Sequence, residues 1–411
     1  MERTVVITGI GVLSPIAIGK DNFWDALIQG NTGFKPITLF DTSSFAVHIG
    51  GEITDFDPVT FLGKKGLREL DRSTRLVCSA AKLAIDDARL EITNENTNSI
   101  GVSIGTTFGS LHSISQFDRV GLTEGPRYVN PSHFPNTVLN SPASRVSIRF
   151  NVKGFNTTIS TGFCSSIDAI SYATDFIKLN RVNAALAGGV EELCEEIFLV
   201  FSKLGYLSGT NGSEPVCCPF DARRNGTILS EGSAVFILED SAHALRRGAE
   251  ILAVIKGYGN AFDPSEEGVS DQPEGGLEKA ITLALRDASL PAGGIDYICS
   301  GANSAKSLDR METQAIKKVF GDRAYNIPVS SIKSMVGESF SASGGLSLAA
   351  ATGALRRGFI PSTVNYNEKD PECDLDYVPN HARQKTIRNV LVTSSDPFGN
   401  NSAMVLGRFE R

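Results

Sequence analysis

Three hydrophobic patterns alternate along this chain. Uninterrupted apolar runs, bounded by glycines or small polar residues, stand at Thr4–Val12, Ile100–Thr107 and Ala184–Glu192. Each has the length of a strand buried on both faces. Between them, apolar residues recur every three or four positions. That spacing predicts helices through Phe23–Ile28, from Ser73 to about Arg89 with Ser73 as N-cap, and over Ser141–Phe150. Gly33–Asp57 reads as loop, and Gly109–Asp118 as a loop with a short helix. In Pro219–Asp240 an Asn225-Gly226 turn signal separates two extended segments, the pattern of a hairpin.

A second series follows in similar order. Strand Ile251–Asn260, polar loop Asp263–Gly276 and helix Leu277–Leu290 lead to strand Tyr297–Ser300 and helix Asp309–Phe320. A short segment Val329–Lys333, helix Ser341–Arg357 and strands near Val390–Ser394 and Ala403–Arg408 complete it. The third pattern is a helix of small residues, Ser341–Gly353, whose Ala, Ser and Gly content suits tight burial between sheets. The alternation predicts an α/β fold with its sheet covered on both faces. The repeated order predicts two halves, 1–250 and 251–411, layered α/β/α/β/α and packed as one body.

Thr157–Leu179 is where chemistry would be mounted. A β-rich run turns sharply at Gly162 and continues as a helix with Ile167, Ile170, Ala173, Phe176 and Ile177 on one stripe. The unpaired N–H groups and macrodipole at such a helix start favour an anion and would lower the pKa of a cysteine.

Composition narrows the setting. The 411 residues are 41% hydrophobic, with 40 glycines and a single tryptophan, enough for a large core with many close backbone approaches. A net charge of −7 argues against nucleic acid or an anionic membrane surface as partner. No apolar run approaches the roughly 20 residues of a membrane span. The opening MERTVVITGIG lacks the basic head and cleavage site of a signal peptide, so a cytoplasmic location is expected. The seven cysteines are odd in number, scattered and without a CxxC pair, which favours free thiols. The five histidines lie far apart, and no structural metal is expected.

The run Ser160-Thr161-Gly162-Phe163-Cys164-Ser165-Ser166-Ile167-Asp168 resembles the nucleophile turn of the β-ketoacyl synthases, whose polyketide members read S-T-G-C-T-S-G-L-D. VVITGIGVLSPIAIG, AGGVEE, PFDARRNGTILSEGSAVFILED, KSMVGE and DPFGNNSAMVL resemble further blocks of that family in the expected order. The resemblance spans almost the whole chain and implies the thiolase fold.

It also implies a loss. These enzymes use a cysteine thiolate to carry the acyl chain and two histidines for decarboxylation and oxyanion stabilisation. Ungapped alignment puts Phe163 at the nucleophile position. Counting back from the helical Glu312 puts Gly301, or Ala302 one residue off, where the first histidine belongs. Glu338, five residues after Lys333, takes the place of the second. Lys333 and the pair Phe398-Gly399 are retained. Cys164 stands one residue on, turned about 100° along a helix. It is either a shifted nucleophile, as in an active homodimeric synthase, or an inert thiol.

A synthase scaffold without its chemistry is similar to the chain length factors, or ketosynthase β subunits, of type II polyketide synthases. In that subclass glutamine is usual where Phe163 stands. The resemblance implies a heterodimer with an active ketosynthase α subunit and a shared tunnel that sets polyketide length. No cofactor is implied, the acyl chain arriving on the phosphopantetheine of an acyl carrier protein. FDPSEEG, GLEKAITLALRDA and GVSIGTTFGSLHSISQFDRVGLTEGP carry the likeness to the subclass. Phe155–Ser160 and Gly109–Phe134 are the implied interface. Leu111, Ile114 and Phe117 are the implied tunnel gate, with ordinary core packing as the rival reading of one helical face. The basic cluster Lys64, Lys65, Arg68, Arg72 and Arg75 is either a solvated face or a contact for the acidic carrier protein.

Overall fold

The structure, a computed structural model, describes residues 3–264 and 275–410. Most of the expected loop Asp263–Gly276, including residues 265–268 of the FDPSEEG likeness, lies outside the described residues. Ten main strands carry the fold. The first five are β1 (Val5–Ser14), β2 (Ile100–Gly105), β3 (Asn156–Ile159), β4 (Ala184–Glu191) and β5 (Gly232–Asp240). The second five are β6 (Ala253–Phe262), β7 (Tyr297–Cys299), β8 (Val329–Ser330), β9 (Asn389–Ser395) and β10 (Asn400–Gly407).

Their order states the duplication. The first half runs β3-β2-β4-β5-β1 and the second β8-β7-β9-β10-β6. In each half the first two pairings are parallel and the last two antiparallel. The halves meet where β1 and β6 pair antiparallel, at Val6–Val254 and Ile7–Ala253.

Five layers result. Helix Arg72–Ala88 covers the outer face of the first half, and Gly276–Asp287 that of the second. Helices Ser165–Lys178 and Ser343–Arg357 pack on each other and on strands of both halves, forming the middle layer. Every residue from Ser343 to Leu355 is buried. The reason for its small residues is distance. A Cβ on Gly344 would lie 2.8 Å from Ile167 Cγ1, and the Gly345 N–H donates to Ser166 Oγ at 2.7 Å.

Three local expectations are corrected. Asp71, not Ser73, caps the helix Arg72–Ala88, its carboxylate accepting the Thr74 N–H at 2.8 Å. Ser73 sits inside the helix. The hairpin expected in Pro219–Asp240 is absent, and only β5 forms there. Gly226 serves close approach instead, since a Cβ would lie 2.7 Å from the Ser208 backbone nitrogen. Its neighbour Asn225 is taken up by Ser208 and Ser213. The short helix expected within Gly109–Asp118 runs longer, over Leu111–Thr123. Of the longer helices, Glu195–Lys203 went unread in the sequence, because its apolar residues nearly encircle it; the short helices Pro58–Leu62 and Ser241–Arg246 went unread as well.

Candidate functional site

The strand β3 delivers its chain to Gly162, whose φ is +56°. A Cβ there would lie 1.8 Å from Asp396 Oδ2, so this turn admits glycine alone. A 3-10 turn over Gly162–Cys164 then opens the helix Ser165–Lys178. Asp396, from the end of β9, accepts the Phe163 N–H at 3.4 Å, and Ser394 Oγ donates to the Phe163 carbonyl at 3.0 Å. The turn is thereby fixed from the second half of the molecule.

Phe163 is fully buried. Its ring meets Phe340 at 5.3 Å between centroids and 70° between planes, with Phe201 at 6.4 Å. Phe340 in turn packs on Phe201 at 4.9 Å and edge-on to Phe108 at 5.4 Å. Offset and edge-on pairs of this kind add to the area they bury. Lys333 Nζ stands 6.0 Å over the Phe163 ring. Tyr206 packs on Phe201 at 5.7 Å and also lines a solvent-open cavity of about 590 Å3, with Arg224, Asn225, Lys306, Arg310 and Asp370. The Tyr206 ring therefore stands between that cavity and the aromatic cluster. Its hydroxyl is buried without a hydrogen-bond partner among the described residues. Burial, with the Glu338 carboxylate nearby, pushes it well above its usual range.

Next to the aromatic cluster lies a buried ion pair. Lys333 Nζ donates to Glu338 Oε2 at 2.7 Å, and both side chains are at most 2% exposed. Asn303 Nδ2 reaches the same oxygen at 2.8 Å. Glu338 Oε1 accepts the Phe340 N–H at 2.9 Å and Ser343 Oγ at 2.6 Å. Each carboxylate oxygen thus accepts two hydrogen bonds. Breaking such a pair by removing one partner costs about 3–5 kcal/mol, because the other charge stays buried.

Gly301 follows β7. A Cβ there would lie 2.9 Å from the Thr393 carbonyl and 3.0 Å from Ser394 Cα, so no larger side chain fits without backbone movement. Its N–H donates to Glu312 and Thr393. Ala302, the other register, is buried. Phe398 is exposed, while Gly399 turns at φ +102° with a would-be Cβ 2.2 Å from the Asp263 carbonyl.

Cys164 points away from Phe163. Its thiol donates to the Ser394 carbonyl at 3.3 Å, and it is fully buried. Burial, then the Asp168 and Asp396 carboxylates, pushes that thiol well above its usual range. The helix start that would favour a thiolate is outweighed by desolvation and two acids. All seven cysteines are free and buried.

The three residues read as a gate share a helix but separate in space. Leu111 packs against the aromatic cluster of Phe163, Phe201 and Phe340. Phe117 meets Phe134 at 6.2 Å and lines a groove of about 400 Å3 with Leu70, Val120 and Tyr128. Ile114 is half-buried between them. The basic cluster also divides. Lys64, Lys65 and Arg68 are exposed, whereas Arg72 is committed to the buried Glu231 at 2.6 Å and Arg75 to the Leu67 carbonyl.

The family model for the β-ketoacyl synthase N-terminal domain matches residues 2–244, and that for the C-terminal domain matches residues 252–367. This chain belongs to the β-ketoacyl synthase family. Its fold is the thiolase fold of a ketosynthase. Over 409 residues it is 37% identical to 3-oxoacyl-[acyl-carrier-protein] synthase 2 of Coxiella burnetii, covering 99% of each chain. It is 38% identical to the tetracenomycin polyketide synthase ketoacyl synthase alpha subunit of Streptomyces glaucescens, covering 99% of this chain and 97% of that one. Among solved structures it is similar to the ishigamide ketosynthase/chain length factor, with a TM-score of 0.93, 32% identity and full coverage of both chains. The relatives thus include both a 3-oxoacyl-[acyl-carrier-protein] synthase and a polyketide synthase ketoacyl synthase subunit.

Phe163, Gly301, Lys333 and Glu338 gather at the ends of β3, β7 and the short segment after β8. Phe108, Phe201, Phe340 and Tyr206 complete the aromatic cluster and were not singled out in the sequence. Phe198 and Phe201, three apart on the unread helix, were the available signal. Asn303 and Ser343, partners of Glu338, had none.

Proposed function

We propose that this chain is a catalytically silent subunit of a type II polyketide synthase, of the chain length factor kind. It pairs with an active ketosynthase α subunit and shapes the tunnel in which the partner's polyketide grows. The partner's cysteine holds the growing chain, and extender units come on the phosphopantetheine of an acyl carrier protein. This subunit has no cofactor of its own. The observation that carries the reading is Phe163. At the turn where a ketosynthase mounts its nucleophile, an aromatic ring is fully buried against Phe340 and Phe201. Gly301 and Glu338 at the two histidine positions leave no imidazole to activate a neighbour.

Exposed apolar surface supports the partnership. Leu122, Tyr128, Phe134, Val138 and Leu139 are all exposed, Leu122 at 86%. So many exposed large apolar side chains within one stretch of chain suit an association site. The strand β3 pairs only with β2 among the described residues, leaving its other edge for a neighbour. The rival reading, an active homodimer using Cys164, is disfavoured by a thiol buried among acids and bonded to a carbonyl.

Co-expression tests the proposal. With an active type II ketosynthase, the chain should form a one-to-one complex by size exclusion and native mass measurement. A stable, well-behaved homodimer that ignores every such ketosynthase, or one that forms acyl-enzyme by itself, would refute it.

A further inference from the structure

Phe340 has a left-handed backbone, with φ +49°. A bulky residue rarely adopts this conformation, because its Cβ crowds the following carbonyl. Something must hold it there, and the contacts identify what. The Phe340 N–H donates to Glu338 Oε1 at 2.9 Å, and Ser343 Oγ donates to the same oxygen at 2.6 Å. The other Glu338 oxygen takes Lys333 and Asn303. The carboxylate thus binds both ends of the turn that opens the buried helix Ser343–Arg357, with Lys333 balancing its charge. The next residue is held as well, Ser341 Oγ donating to Glu191 Oε2 at 2.6 Å. The product of this turn is the placement of one ring. Phe340 lies against Phe163, Phe201 and Phe108 at 5.3, 4.9 and 5.4 Å.

We infer that Glu338 is a positioning residue that keeps the pocket around Phe163 closed: it pins Phe340 in the left-handed conformation, and the Phe340 ring seals the cluster. The residue at the second histidine position has acquired a structural task. Silence and closure are then one coupled arrangement, because the carboxylate that replaces the imidazole also holds the ring over Phe163. Replacing Phe163 alone would leave the seal in place. This inference deepens the reading of the site as silent, and it can fail separately from it.

The test combines a coupling measurement with a reporter, on the full chain in its purified assembly. Unfolding midpoints are compared for Glu338→Ala, Phe340→Gly and the double variant. Alanine removes both acceptor oxygens and leaves Lys333 unbalanced in either background, so that cost cancels in the comparison. Glycine enters the left-handed region without a Cβ penalty. The loss caused by Glu338→Ala should therefore shrink markedly when residue 340 is glycine. An equal loss in both backgrounds overturns the pin. Should Glu338→Ala fail to fold, the comparison is made with Glu338→Asp, whose shorter side chain keeps the charge but not the reach, and an equal loss in both backgrounds overturns the pin there too. For closure, Phe163→Cys supplies a reporter thiol labelled with N-ethylmaleimide. Adding Glu338→Ala should speed labelling about tenfold, the scale set by the strain of one bulky left-handed residue. An unchanged rate overturns closure. The silent-site reading fails on a different result, acyl transfer to the reporter thiol.

Discussion

Removing the Phe163 ring is the most direct perturbation of this site. The side chain is fully buried and touches Phe340 edge-on, so Phe163→Ala leaves a void in a cluster whose members are held from three directions. Phe201 comes from a packed helix, and Phe340 is tied to Glu338, so neither can collapse freely into the space. A truncation of this kind costs about 3–5 kcal/mol, of which the edge-on pair supplies about 0.5–1.5 kcal/mol. The unfolding entropy is about 2.1 cal/mol/K per residue near the melting temperature. For 411 residues unfolding as one unit that is about 0.9 kcal/mol/K. The melting temperature should therefore fall by about 3–6 °C. Differential scanning calorimetry of the assembled protein measures this. Phe163→Leu, which keeps much of the volume, should cost under about 1.5 kcal/mol. Intact-mass measurement after incubation with acyl carrier protein should find no acyl group on either variant. A shift below about 1 °C for the alanine variant would mean that the ring is not a packed plug, and the magnitude argument would fall with it.

Two further outcomes are expected. Cys164→Ala should leave product formation by the reconstituted synthase unchanged, with a packing loss of about 1 kcal/mol, and peptide mapping should place acyl groups on the partner alone; an adduct on Cys164 would reverse its assignment. Trimming Leu111, Ile114 or Phe117 to alanine should lengthen the product by whole two-carbon units, and bulkier side chains should shorten it, because close-packed walls yield little to added atoms. Their separation in the structure adds a distinction. Phe117, beside the groove of Val120 and Tyr128, should have the larger effect if that groove holds the chain end, and Leu111 if the chain approaches the aromatic cluster. Unchanged products from assembled variants at all three positions would make the segment ordinary packing.

The sequence determined the architecture because periodicity and turn chemistry are local. Buried runs such as Ala184–Glu192 and the small-residue helix after Ser341 could be read directly, since each reports the environment of its own residues. The repeated order of elements made the duplication visible, and the resemblance to the β-ketoacyl synthases, laid on without a gap, put Phe163 rather than Cys164 at the expected nucleophile position. Where a local signal had two uses, the reading failed. Asn225-Gly226 has the composition of a hairpin turn, yet Gly226 is there because the Ser208 backbone passes too close for a Cβ. Glu195–Lys203 went unread because apolar residues on most of its faces blur the helical period.

What only the tertiary structure decided is the content of the pocket. Phe108, Phe163, Phe201 and Phe340 are remote in sequence and meet because the two central helices and the loops at their starts converge between the halves. No periodicity records such a meeting. Glu338 shows the difference most sharply. Its five-residue spacing from Lys333 was legible, but not that Asn303, Ser343 and the Phe340 N–H complete its hydrogen bonds. A buried carboxylate is tolerable only when fully paired, and three of its four partners come into reach only in the folded chain, through the loop after β7 and the turn that opens the central helix.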